Sequence, residues 1–331
     1  MRKVLLTGCA GFVGSNFIPI LLEKYEIIGT DSFEKNGKRE NIKEFLNHPN
    51  FTFIEQNLEE NFNKTLKEEI SKVDVIFNLA SMSSVEDSIH DPSTTVLNNV
   101  KLMLNLLDNC KDKKIIHLSS DEVYGESINY AHGENYIYAP SNPYAASKAM
   151  QENLLFSYWR TYNSKIIICN TINLLGIKQT DNKFIPLLVK KIMQDEEIDI
   201  YMVKRKIGSR IYMDVRNIAD AFIFIDENIE QNNFLYQNRK EKPLKINIVD
   251  EREKKISNIN MTRKISLILD KHFNYNLKEI TESEIRPGYD RMYKIKGNFL
   301  KKMGWQPKYQ TKDSLEEIIN WYRKKYSEYE I

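Results

Sequence analysis

The 331-residue sequence predicts an α/β fold: a doubly wound parallel sheet followed by a smaller, partly discontinuous C-terminal domain. Three observations carry this. Short β-rich runs alternate with helical patterns up to about residue 172. A glycine-spaced turn, Gly8-Cys9-Ala10-Gly11-Phe12-Val13-Gly14, lies between the first such run and the first helical pattern. An acidic residue, Asp31, closes the second run.

In chain order, Lys3 to Thr7 reads as a strand and Val13 to Lys24 as an amphipathic helix. Ile27 to Asp31, Phe51 to Glu55 and Val73 to Asn78 are the next three strands. Thr95 to Cys110 is helical and Lys114 to Leu118 is a fifth strand. A long helix runs from Asn142 to Tyr162, opened by Pro143, and Lys165 to Thr171 is a sixth strand. Beyond 172 the rhythm loosens. Phe184 to Gln194 and Val215 to Glu227 read as helices, and Ile246 to Val249 as a strand. Ser257 or Asn258 caps a helix ending near Leu269. The expected division is a first domain over 1–172, with 211–238 returning to it, and a second over 173–331.

With 41% hydrophobic and 28% charged residues, the chain can bury a core and stay in solution. Its net charge of +2 gives no electrostatic case for a nucleic-acid or membrane partner. Cys9, Cys110 and Cys169 lack metal-ligand spacing and are odd in number, which fits a reduced, cytoplasmic protein. The five histidines are scattered, so no metal is expected. Polar and glycine residues break up the apolar N-terminus, which reads as strand, loop and helix, not as a signal peptide. No run reaches the ~18 apolar residues of a membrane helix.

Glycines between a strand and a helix let backbone N–H groups approach a pyrophosphate at the helix N-terminus, so Gly8, Gly11 and Gly14, with Phe12 and Val13, form a candidate dinucleotide site. Asp31 is placed to accept hydrogen bonds from the adenosine ribose. Its charge would repel a 2′-phosphate, which favours NAD over NADP.

Tyr144 and Lys148 are four apart on a helix and share a face. A lysine ammonium, with a positive nicotinamide ring, would lower the phenol's pKa and let it take a substrate hydroxyl proton as hydride leaves. Ser120 can bond the same hydroxyl. Asp121 and Glu122 supply what an elimination needs. Oxidation at C4 of a hexose acidifies the C5 hydrogen, and a base at C5 and an acid at O6 then expel water.

The Gly-x-x-Gly-x-x-Gly spacing resembles the extended branch of the short-chain dehydrogenase/reductase superfamily, which implies a Rossmann-type fold. Asn57 and Leu58 then fall near adenine, and Leu79 and Ala80, in Asn78-Leu79-Ala80-Ser81, line the cofactor. Asn99 falls where that branch has a helix residue supporting the active site. The stretch Ser119-Ser120-Asp121-Glu122-Val123-Tyr124-Gly125 resembles the Ser-Thr-Asp-Glu-Val-Tyr-Gly of the nucleotide-sugar 4,6-dehydratases, with Ser120 keeping the hydroxyl of the usual threonine. Pro143-Tyr144-Ala145-Ala146-Ser147-Lys148-Ala149 is similar to that family too, and Ser84-Val85-Glu86-Asp87-Ser88-Ile89 loosely so. The resemblance implies that Asp121 is the acid for O6, Glu122 the base for C5 and Tyr144 the base for O4.

It also assigns a substrate half to the C-terminal domain. Ser84, Asn173 before Gly176, Lys183 in Lys183-Phe184-Ile185-Pro186, and Arg210 are implied to contact a sugar nucleotide. So are Arg286, Asp290 and Arg291 in Arg286-Pro287-Gly288-Tyr289-Asp290-Arg291. Leu175 and Ile177 depart from the usual tyrosine and proline there. Gly304-Trp305-Gln306-Pro307 resembles the family's Gly-Trp-x-Pro. The implied activity is an NAD-dependent lyase acting on an NDP-hexose, with the base and sugar open among dTDP-, UDP- and CDP-glucose and UDP-GlcNAc. A 4-epimerase or uronate decarboxylase of the same fold, or a non-catalytic nucleotide sensor, are the alternatives. Analogy within the branch implies a homodimer.

Overall fold

The computed structural model describes residues 1–127, 129–229, 243–281, 288, 290 and 292–328. Its centre is a seven-stranded sheet. β1 is Arg2–Thr7, β2 Tyr25–Asp31, β3 Phe51–Glu55, β4 Val75–Asn78, β5 Lys114–Ser120 and β6 Lys165–Thr171. The seventh strand is Leu244–Ile248. The spatial order is Leu244–Ile248, β6, β5, β4, β1, β2, β3, and every neighbouring pair is parallel. From β1 the chain winds outward through β2 and β3, then crosses to β4 and winds the other way. The carboxyl ends of β1 and β4 therefore flank the switch point at which such sheets bind ligands.

Helices cover both faces, so the strands are apolar on both sides. Val4 and Leu6 point into a core with Phe17 of α1 (Phe12–Leu21) and Phe222 of a helix at Arg216–Asn228. Leu5 points into the opposite core, with Leu66 of α2 (Lys64–Lys72), Leu106 of α4 (Pro92–Asn109) and Leu155 of α5 (Pro143–Tyr162). A short α3, Val85–His90, precedes α4. The helix Arg216–Asn228 lies back on the sheet. Phe222 meets Phe17 and Phe77 edge-on at 5.4 and 5.3 Å, and Asp226 receives Arg2, Tyr25 and Lys114 at the amino end of the strands.

A third core joins the helices Phe184–Met193, Asn258–Leu269 and Thr311–Ser327 through residues such as Val189, Ile265 and Ile319. Beside it lies a small sheet of Tyr275–Glu279, Ile198–Val203 and Lys206–Ile207.

Three placements differ from the sequence expectation. Leu244–Ile248, expected in the second domain, pairs with β6 and extends the main sheet. Its buried Lys245 interrupts the apolar run, but the lysine is neutralised by Glu152 of α5 at 2.6 Å. The helix α4 starts at Pro92, not Thr95, because Asp91 caps it by accepting from Thr94 N–H. The helices α2, α3 and Thr311–Ser327 add to those read from the sequence.

Candidate active site

A cleft of about 630 Å³ runs along the carboxyl ends of the strands. The glycine turn after β1 forms one wall. Gly8 has φ +66°, and a Cβ there would touch Ala80 Cα at 3.0 Å. A Cβ on Gly14 would lie 2.2 Å from the Gly8 carbonyl oxygen, so the first turn of α1 fits against the loop only with glycine. Gly11, Phe12 and Val13 continue the wall.

Asp31 sits at the end of β2. Its carboxylate accepts from Ala10 N–H at 3.0 Å and Phe33 N–H at 3.1 Å. Burial pushes its pKa above the usual carboxylate range, against these bonds. Asn57 and Leu58 line the same end. The Asn57 side chain is committed locally, donating to Glu34 and accepting from Glu59 N–H. Opposite lie Leu79 and Ala80, whose N–H groups both donate to Thr7 Oγ1. A backbone cradle that excludes side chains, next to a carboxylate at the end of β2, fits a dinucleotide with unmodified ribose hydroxyls.

The reactive side chains gather further along. Ser120 ends β5, and Asp121–Tyr124 form a single 3-10 turn closed by Gly125 at φ +73°. Asn142 caps α5 through Ala145 N–H and also donates to Glu122 Oε2 at 3.0 Å. Tyr144 N–H donates to Ser88 Oγ, which ties the start of α5 to α3. Asn99 of α4 holds the loop after β4 through both polar groups of Met82, and it also bonds Ser147. Ser120, Asp121, Glu122, Tyr144 and Lys148 all line the cleft.

The two carboxylates differ. Asp121 is buried; Ser120 Oγ donates to its Oδ1 at 3.3 Å, and Oδ2 has no partner among the described residues. Burial, then the charge of Glu122, raises its pKa well above the ordinary value, so the group favours its acid form. Glu122 is half-buried and accepts from Asn142, and its Oε2 lies 3.3 Å from the Tyr293 hydroxyl.

Tyr144 and Lys148 sit on the first two turns of α5 and line the cleft. Burial, then the carboxylates of Glu122 and Asp121, push the phenol's pKa up, opposed by a hydrogen bond with Ser120. Burial lowers the Lys148 amine to about 7. Lys148 Nζ donates to Leu118 O at 2.8 Å and lies 3.3 Å from His117 Nε2.

On the substrate side, Ser84, Asn173, Lys183 and Arg210 line the same cleft. Ser84 Oγ accepts from Asp87 N–H and so caps α3. Arg210 donates to the carbonyls of Ser209 and Asp290 and lies 5.7 Å from the Tyr293 ring centre. Asp290 is buried and accepts from Ser141 and from Tyr293, the latter at 2.6 Å. Arg286 and Arg291 lie outside the described residues. Sequence reasoning missed Tyr293, His117 and the side chain of Asn142. Only Asn142 had a local signal, as a cap before Pro143.

Among the described residues no group of His, Cys, Asp or Glu could hold a metal ion, and no helix is long and apolar enough to cross a membrane. Residues 5–318 match the family model described as GDP-mannose 4,6 dehydratase. The chain is 30% identical over 324 residues to the low-salt glycan biosynthesis protein Agl12 of Haloferax volcanii, covering 96% of this chain and 98% of that protein. Among solved structures it resembles a dTDP-glucose 4,6-dehydratase from Bacillus anthracis in complex with NAD, with TM-score 0.79 and 26% identity, covering 98% of this chain and 97% of that one. It also resembles a UDP-N-acetylglucosamine 4-epimerase from Methanobrevibacter ruminantium in complex with UDP-N-acetylmuramic acid, with TM-score 0.83 and 27% identity, covering 98% and 99%. With a glycine cradle, a Tyr144–Lys148 pair and a match spanning nearly its whole length, the chain belongs to the GDP-mannose 4,6 dehydratase family.

Proposed function

We propose that the protein is a nucleotide-sugar 4,6-dehydratase, an NAD-dependent hydro-lyase that converts an NDP-hexose, NDP-glucose foremost, into an NDP-4-keto-6-deoxy-hexose. The observation that carries this reading is the unequal pair Asp121 and Glu122, one buried and the other half-buried and bonded by Asn142, beside Tyr144 in one cleft. Gly8, Gly11, Gly14 and Asp31 would hold NAD, which when bound accepts hydride from C4 and returns it to C6.

Tyr144 takes the proton of the C4 hydroxyl, and Ser120 bonds the same oxygen. The resulting ketone acidifies C5, and Glu122 removes that proton. Asp121 gives its proton to the departing C6 hydroxyl, which leaves as water, and Glu122 returns its proton to C5 as C6 is reduced. Asn173, Lys183 and Arg210 are placed to bind the sugar nucleotide, with guanidinium suited to diphosphate.

The second reading, a 4-epimerase, is favoured by the epimerase likeness in overall fold. Epimerisation returns hydride to C4 and has no use for an acid at O6 and a base at C5. The test is a screen of dTDP-, UDP-, CDP- and GDP-hexoses with product mass as readout. Loss of one water supports the dehydratase. An isomer of unchanged mass sinks it in favour of the epimerase. We further propose a homodimer through α4 and α5, whose outer surfaces leave Leu97 and Met150 exposed. Light scattering at the mass of one chain would refute it.

A further inference from the structure

Beside the third core lies a second cavity, of about 560 Å³, a volume usual for small-molecule sites. Three segments build it: the stretch 252–256, the helix Asn258–Leu269 and the start of the helix Thr311–Ser327. Its floor is apolar, with Tyr212, Met261 and Leu315 buried and Ile256 half-buried. Its rim is cationic. Arg252, Lys254, Lys255, Lys264 and Lys312 line it and are exposed, against one carboxylate, Glu253.

These charges are not balanced within the protein. Glu253 is committed to the helix start, where it accepts from Thr311 N–H at 2.7 Å. Arg252 is bonded to Asp250 at 2.7 Å. Lys254, Lys255, Lys264 and Lys312 have no ion pair among the described residues. The chain holds 48 basic and 46 acidic residues, so four unpaired lysines around one cavity are a local excess and not a reflection of composition. An apolar floor under such a rim suits a ligand with a flat ring at one end and several negative charges at the other. The amides of Asn260 and Gln310 add polar contacts at the edge. A lipid would bring more apolar surface than this floor can cover.

A pair of short strands, Ser209–Arg210 and Ile256–Ser257, lies between this cavity and the cleft. Ile256, on the second cavity, pairs with Arg210, on the cleft. Asn258 lines the cleft and its N–H donates to Gly208 O at 2.9 Å, whereas Asn260 lines the second cavity. Tyr212 lines both, and its carbonyl accepts from Thr311 Oγ1 at 3.1 Å. Burial pushes the Tyr212 phenol up to about 12, and the charge of Arg210 opposes this, so the two groups feel one another.

We propose that this cavity is a second, regulatory site for a nucleoside diphosphate, free or sugar-linked, with its ring on the apolar floor and its phosphates among the four unpaired lysines. The site stands on the cavity alone; its effect on turnover rests on the proposed use of Arg210 for the substrate diphosphate. Two diphosphates on opposite sides of one strand pair repel. Occupancy therefore weakens substrate binding, and substrate weakens the second ligand by the same factor. The reacting groups are not touched, so KM rises and kcat does not.

The test follows hydrogen exchange by mass spectrometry in the intact protein with NAD bound, on adding millimolar UDP, dTDP or GDP. At least one should slow exchange over 252–264 and 310–315, besides any slowing at the cleft. No slowing there with any of the three overturns the site without a variant having to fold. Inorganic pyrophosphate should protect these segments less; equal protection refutes the nucleoside part. Lys254→Glu with Lys312→Glu, both outside the cleft, should abolish protection there and leave that of the cleft. Protection that survives refutes the role of the lysines. In turnover, the nucleotide should raise KM about 5-fold more in wild type than in the double variant, the low end of couplings between sites, with kcat equal. An equal rise in both overturns the coupling. Failure of turnover on every sugar nucleotide would instead count against the proposed function and leave the exchange result standing.

Discussion

Asp121 and Glu122 are adjacent in sequence but not in environment: Asp121 Oδ2 is buried with no partner among the described residues, whereas Glu122 Oε2 accepts from Asn142 and lies 3.3 Å from the Tyr293 hydroxyl. The 3-10 turn after β5 turns one carboxylate inward and leaves the other at the cleft. A tyrosine and a neutral amide then hold the second in place. This division separates the proposed acid from the proposed base.

Substitutions should therefore split oxidation from elimination. Glu122→Gln keeps Tyr144 and Lys148, so enzyme-bound NADH should still form with substrate, while product formation falls ~10²–10⁴-fold, the usual worth of a general base. Asp121→Asn should also permit C4 oxidation and slow water loss. Tyr144→Phe should give little NADH signal. Single-turnover absorbance with solvent deuterium exchange at C5 distinguishes the three. Wild-type product formation by Glu122→Gln would overturn the assignment.

The buried acid also leaves a mark on stability. The folded pKa of Asp121 is raised, chiefly by burial, above its unfolded value of about 3.9. Between the two values the folded state binds more protons, so wild-type stability falls as pH rises through that window, and the penalty is complete above it. Asp121→Asn removes the penalty. It should gain about 0.5–2 kcal/mol at neutral pH and nothing near pH 3. Thermal unfolding at both pH values checks this; a loss at pH 7 would mean that Asp121 is held by contacts that favour its charge.

The parts of this site that the sequence showed are those written in short contiguous patterns. Gly8 to Gly14, Asp31 at a strand end, Asp121-Glu122 and Tyr144 with Lys148 each lie within one or two elements. Tyr293 reaches Glu122 across 171 residues, and nothing near it in the chain points to a carboxylate. His117 sits in an apolar strand and reads there as a core position; its meaning comes from Asn78 and Lys148 on neighbouring elements. Lys245 hid the start of the seventh strand, because a charge inside an apolar run argues against a buried strand until its partner Glu152 is known. The helix Thr311–Ser327 was legible in principle, since Leu315, Ile318, Ile319, Tyr322 and Tyr326 repeat at helical spacing and are buried.

That buried ion pair gives a prediction of its own. Glu152 is fully buried and bonds Lys245 at 2.6 Å, with Ser119, Tyr138 and Asn170 as further donors. Lys245→Met removes the cation bonded to Glu152 and leaves the carboxylate with neutral donors. The cost should be about 3–5 kcal/mol. Combining it with Glu152→Gln should recover much of the loss, because no charge is then stranded. Denaturant unfolding of the three variants checks both statements, and a single variant as stable as wild type would show that the neutral donors suffice.

Tyr293 should act on elimination through Glu122. Its hydroxyl lies between Asp290 Oδ2 at 2.6 Å and Glu122 Oε2 at 3.3 Å. Burial, followed by the charge of Glu122, pushes its pKa up, so it stays a donor across the working pH range. Asp290 also receives Ser141, which fixes the carboxylate that aims the phenol. Tyr293→Phe keeps the ring under Arg210 and removes only the bond to Glu122 and Asp290. The single phenol proton goes chiefly to Asp290, so the longer bond to Glu122 is the weaker one, worth about 0.5–1.5 kcal/mol, which corresponds to a ~2–10-fold slower proton abstraction at C5. The loss is expected to be smaller than in Glu122→Gln because Asn142 still holds the base. Formation of enzyme-bound NADH should be unchanged, since neither Tyr144 nor Lys148 is touched. Single-turnover absorbance and product mass measured together read both steps. If oxidation and elimination fall equally, Tyr293 serves substrate binding; if neither changes, Asn142 alone positions Glu122.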